Sequence, residues 1–101
     1  MNSIENPFDY LEAYGTSLLE HGSAERALGR DAAIDFVRIL QAQGKYPLGI
    51  EVWRRFGERW RIDSVGGWFV DDLTPEDAVV DAIRFLCRSE SMEGVIFTVQ
   101  F

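Results

Sequence analysis

The chain has 101 residues, 47% of them hydrophobic and 13% aromatic, with ten Lys and Arg against seventeen Asp and Glu. That length holds one domain, 1–101, and no second. The apolar content excludes a disordered acidic tail, and the net charge of −7 argues against a generic nucleic-acid or anionic-membrane binder.

The charge is uneven: residues 1–44 carry −4, residues 45–65 carry +2 and residues 66–101 carry −5. The single cysteine, Cys87, has no internal disulfide partner. Met1 to Asn6 lacks the basic start and apolar core of a signal peptide. No run reaches the ~18 apolar residues of a membrane span. A cytoplasmic protein is the expectation.

Asn6-Pro7 predicts a helix start, with Asn as cap and Pro at the first helical position. Phe8, Leu11, Tyr14 and Leu18 follow at roughly helical spacing, and Gly22 closes the segment. Ser23 to Gly29 reads as a short helical turn. Arg30 to about Gln43 is the clearest helix, with Ala33, Phe36, Val37 and Leu40 as its apolar stripe and Gly44 as its stop. Leu48–Phe56 and Arg59–Val65 alternate as the two strands of a hairpin. A two-residue turn would put Ile50 and Val52 on one face with Arg61 and Asp63; a three-residue turn, Gly57-Glu58-Arg59, aligns them with Trp60 and Ile62. Because one face must be buried, the second register is predicted, with Trp53 facing outward. Thr74-Pro75-Glu76-Asp77 is a strong helix start, followed by Val79, Ala82, Ile83 and Leu86. Val95, Phe97, Val99 and Phe101 alternate along a last strand. The expected fold is α+β: a small antiparallel sheet, hairpin plus C-terminal strand, with helices packed on one face.

Catalytic chemistry has little to work with. His21 and Cys87 are the only His and Cys, too few for a zinc site. His21 reads as a C-terminal helix residue and Cys87 as a buried or half-buried structural thiol. Asp71-Asp72 with Glu76 or Asp77 lacks the ligand spacing of a calcium loop, and no phosphate-binding glycine loop is present. The expectation is no enzyme, no cofactor and no metal.

Two features point instead to binding. The hairpin segment 53–61 interleaves Arg54, Arg55, Arg59 and Arg61 with Trp53, Phe56 and Trp60, a mixture found in single-stranded RNA binders. The plainer reading makes Trp60 core and pairs the arginines with nearby acids. An outward Trp53 flanked by arginine has the composition of a protein–protein hot spot. Asp71, Asp72, Glu76, Asp77 and Asp81 form an acidic stretch without a base. Glu76 and Asp77 suit a helix N-terminus on stability grounds alone.

Gly15-Thr16-Ser17-Leu18 with Gly22, Ala27-Leu28-Gly29-Arg30-Asp31-Ala32-Ala33 opening a helix, Leu48-Gly49-Ile50-Glu51-Val52-Trp53 as the following strand, and Trp68-Phe69-Val70-Asp71 after the hairpin recur in that order. Together they resemble the immunity protein 40 family of bacterial polymorphic-toxin immunity proteins, over residues 11–72. Gly49-Ile50-Glu51 departs from that family's two adjacent glycines and Asp. The resemblance implies a non-enzymatic α+β protein that binds and neutralises a cognate toxin; the acidic net charge makes a basic effector domain the expected target. The expected partner-binding residues are Glu51, Trp53, Trp68, Phe69, Asp71, Asp72 and Glu76, with Trp68 and Phe69 open between core and interface. The alternatives are a small RNA-binding or adaptor module built on hairpin 53–61, and a module that only homodimerises.

Overall fold

The computed structural model describes residues 6–89 and 94–101, so the N-terminal stretch 1–5 lies outside the described residues. Helix α1 (Pro7–Tyr14) starts as its sequence dictates: the Asn6 side chain accepts from the backbone N–H groups of Phe8 (2.9 Å) and Asp9 (3.3 Å), and Pro7 opens the first turn. The apolar spacing running on to Leu18 does not continue the helix. The chain instead makes a short strand β1 (Thr16–Ser17), a 3₁₀ turn (Leu19–His21) ended by Gly22 at φ +90°, and strand β2 (Arg26–Ala27). The helical turn expected over Ser23–Gly29 is instead a bend at 24–25 running into strand β2, and Leu28 exchanges two backbone hydrogen bonds with Phe97.

Helix α2 (Arg30–Ala42) buries Ala33, Phe36, Val37 and Leu40, the stripe its spacing predicts. Strands β3 (Gly49–Phe56), β4 (Arg59–Phe69) and β5 (Val95–Gln100) form an antiparallel sheet in the order β4-β3-β5. Helix α3 (Pro75–Arg88) begins with Thr74 accepting from the Asp77 N–H at 3.2 Å, and buries Ala78, Val79, Ala82 and Leu86. The two long helices cover one sheet face, where Ile50, Val52, Val95, Phe97 and Val99 join their stripes in one core. The α+β expectation, with a hairpin, a C-terminal strand and helices on one face, holds. No helix among the described residues is long and apolar enough to cross a membrane.

The hairpin register is different from the predicted one. Phe56 pairs with Arg59, Arg55 with Trp60, and Trp53 with Ile62, so the turn is two residues, Gly57-Glu58. Gly57 sits at φ +63° and Glu58 does not have positive φ, the pattern of the turn whose twist matches a hairpin. Directly paired residues share a face, so Trp60 and Ile62 lie with Trp53 on the face away from α2 and α3. The prediction failed because it assumed only one buried face. The outer face has a cover of its own: Leu18 and Ala27 pack on Trp53, with Trp60 and Ile96 beside them.

A large bulge follows. Ile50 pairs with Trp68 and Val52 with Asp63, so between these pairs the single residue Glu51 of β3 faces four residues of β4, 64–67. The bulge needs its glycines: a Cβ on Gly66 would lie 2.7 Å from the Asp63 carboxylate, and one on Gly67 2.8 Å from the Ile50 carbonyl oxygen. Three extra residues are an odd number, so strand parity inverts beyond them. Trp68 turns to the helix side with Ile50, and Phe69 turns to the outer face.

Candidate functional site

The structure sorts the expected partner-binding residues into three groups. Trp53 is 7% exposed, and its Nε1–H donates to Thr98 Oγ1 at 3.2 Å. It faces away from the helices as expected, yet it is covered, so it is no exposed anchor. Trp68 packs half-buried against the main core, and its Nε1–H donates to Asp81 Oδ2 on α3 at 2.8 Å. Both indole N–H groups are spent inside the chain, Trp53 under the outer cover and Trp68 half-buried on the helix side. That leaves Glu51, Phe69, Asp71, Asp72 and Glu76.

Asp71, Asp72 and Glu76 are exposed between β4 and the first turn of α3. Asp72 has φ +53°, a conformation that a short polar side chain tolerates. Phe69 is 63% exposed and lies on a floor of glycines. A Cβ on Gly49 would meet its ring at 2.6 Å, and one on Gly67 would meet it at 3.3 Å. Glycine at 49 and 67 is what lets an aromatic ring lie down on the sheet here.

The same floor carries a polar row. Gln100 pairs with Gly49, and its Oε1 would lie 3.1 Å from the Gly49 Cβ that also meets the Phe69 ring. Its Nε2 donates to Glu51 at 3.0 Å and to both oxygens of Glu25, at 3.1 and 3.3 Å. Thr98 closes the network, donating to Glu51 at 3.3 Å. Phe69, Gln100, Glu51 and Glu25 thus cross the outer face at one end of the sheet. Glu25 and Glu51 are both half-buried, and among the described residues no cation pairs with either. The neighbouring Arg26 donates to the Gly15 carbonyl instead. Glu25 and Gln100 carried no mark in the sequence beyond the polar alternation of Thr98 and Gln100 along β5.

The hairpin arginines are largely occupied. Arg54 pairs with Asp63 at 3.1 Å, Arg55 Nε donates to the Gly57 carbonyl at 3.0 Å, and Arg61 lies over the Phe56 ring at 5.7 Å. His21 belongs to the 3₁₀ turn, where its Nδ1 accepts the Trp60 backbone N–H at 3.1 Å and ties the cover to the hairpin. Cys87 is exposed on α3 rather than buried, one position past Leu86 on the stripe. Among the described residues no three His, Cys, Asp or Glu side chains are grouped to hold a metal ion.

A groove of about 430 Å³ adjoins Glu25, walled by Phe8, Leu11, Val99 and Phe101. Comparisons with protein-family models, with curated proteins and with solved structures find no match to this chain.

Proposed function

We propose that the protein is an acidic binding protein that neutralises a basic protein partner by covering its surface, acting in the cytoplasm as a bacterial toxin-immunity protein does. The observation that supports it best is the outer-face row. An exposed aromatic ring on a glycine floor stands beside two carboxylates that no cation of the described chain neutralises, on a chain of net charge −7. An apolar anchor with an acidic rim is the composition of a surface built for a basic partner. Asp71, Asp72 and Glu76 extend the negative field toward α3.

The RNA-binding reading of segment 53–61 has less support, because base stacking needs presented rings. Trp53 is buried, and Trp60 is half-buried under the 3₁₀ turn. The experiment that decides is co-expression with the product of the adjacent gene, reading growth and co-purification. Rescue of growth with a one-to-one complex supports the proposal. Single-stranded RNA binding below micromolar at low salt, lost on Arg55→Glu and Arg61→Glu, would replace it with the alternative.

A further inference from the structure

We infer that the row formed by Phe69, Gln100, Glu51 and Glu25 receives an arginine side chain of the partner; this rests on the reading of the chain as a binder of a basic protein. Two half-buried carboxylates, from the approach to β2 and from β3, converge on a single neutral amide. Like charges brought together repel, and an amide N–H₂ supplies hydrogen bonds without supplying charge. Among the described residues no cation pairs with either carboxylate: Arg26 donates to the Gly15 carbonyl, Arg54 pairs with Asp63, and Arg55 donates to the Gly57 carbonyl.

The Gln100 amide shows a second deficit. Its nitrogen must face the carboxylates, because the reverse orientation would set oxygen against oxygen. Its Oε1 is consequently shut off from solvent with no donor. Holding the amide nitrogen on the two carboxylates thus leaves the chain an unpaired buried acceptor, an uncommon feature that marks how strongly the pair demands donors. The third feature is the Phe69 ring, 63% exposed and pressing on the same point above Gly49 as Oε1.

Charge and ring face select among cations. An ammonium group supplies a compact charge, whereas a guanidinium adds a planar face that stacks on an aromatic ring and five donors in a fixed fork. A metal ion would need more oxygen ligands than two carboxylates and a carbonyl, and would gain nothing from the ring. The occupant is therefore arginine, presented by a protein whose positive surface complements the net charge of −7.

The test uses the free protein and small probes, so its failure is separable from failure of the toxin-neutralising proposal. N-acetyl-arginine amide, N-acetyl-lysine amide and sodium chloride at matched ionic strength are titrated while amide and side-chain resonances are followed by NMR. Saturable shifts at the Gln100 side-chain amide, Glu51 and Phe69, at least threefold stronger for the arginine probe and abolished by Glu25→Gln, support the site. A Glu25→Gln chain that fails to fold is replaced by Phe69→Ala, for which loss of the arginine preference is the expected result. Shifts without saturation, equal response to both amino-acid probes, or shifts confined to Asp71, Asp72 and Glu76 would overturn it. A chain that fails these titrations yet still neutralises its partner has lost the arginine site and kept the function.

Discussion

Trp53 and Phe69 exchange the roles that composition suggests for them, and replacing each in turn measures that exchange. A tryptophan covers roughly 200 Å² when buried, worth about 5 kcal/mol before losses at ~25 cal/mol/Å². At 7% exposure nearly all of that applies to Trp53, and its Nε1–H bond to Thr98 is lost as well. Trp53→Ala should therefore cost about 3–5 kcal/mol, the usual range for emptying an aromatic site. Against a total stability of about 5–15 kcal/mol for a domain, that is about a fifth or more. The melting temperature should fall by more than about 12 °C, at ~4 °C or more per kcal/mol for a chain of this size. Phe69 is 63% exposed, so Phe69→Ala forfeits roughly a third of a full phenylalanine burial, about 1 kcal/mol. Binding should show the reverse order. Phe69→Ala should weaken the partner complex by ~30-fold, a hot-spot loss of about 2 kcal/mol, while Trp53→Phe leaves affinity within about twofold. Urea denaturation and calorimetric titration read the two quantities. A Trp53→Ala chain that loses less than about 1 kcal/mol would refute the burial argument and return Trp53 to the surface.

Three further outcomes follow from the same geometry. Asp71→Lys with Asp72→Lys should fold normally and slow association with a basic partner by about tenfold at low salt, the deficit shrinking as salt rises; stopped-flow mixing at two ionic strengths checks it. Trp68→Phe removes the N–H that Asp81 accepts, and because that carboxylate stays in contact with water the cost should be about 1 kcal/mol by chemical denaturation. Burial raises the Tyr10 phenol above its ordinary value, with the Asp35 carboxylate and then Tyr14 adding to the effect. The folded chain then holds a proton that the unfolded chain releases, so this contribution is complete below the unfolded value of about 10 and declines as pH rises beyond it. Tyr10→Phe should flatten that alkaline decline in a series of melts between about pH 9 and 11, and an unchanged slope would remove Tyr10 as its source.

The helices were legible because their determinants are local. Asn6-Pro7 and Thr74-Pro75 cap within four residues, and the stripe of α2 repeats within one element. The hairpin register is not, because alternation fixes a register only where one face of the sheet is wet. Residues 16–28 cover the other face, and nothing local in Leu18 or Ala27 announces that they pack on Trp53. With both faces partly apolar, alternation no longer discriminates between a two-residue and a three-residue turn. Gly57 at φ +63° carries the decision, since glycine at the first turn position favours the shorter loop.

The surface proposed for binding was half legible for a different reason. Adjacent residues on a strand point to opposite faces, so Trp68 and Phe69 cannot both be anchors, and that much follows from the sequence. Which of them points outward depends on the parity of the bulge at Gly66-Gly67. One or three inserted residues give the observed side; none or two would give the other. The glycines mark where the ladder breaks but not how many residues it omits. That number is set by the Ile50–Trp68 pairing and by Asp81, which draws Trp68 inward from thirteen residues away. Glu25 lies further still beyond local reading, 75 residues from the Gln100 amide that holds it. A site assembled from the outer end of a strand, the far side of a bulge and the approach to β2 exists only once the sheet is complete. Its carboxylates are uncompensated only there, because in the unfolded chain water separates and screens them.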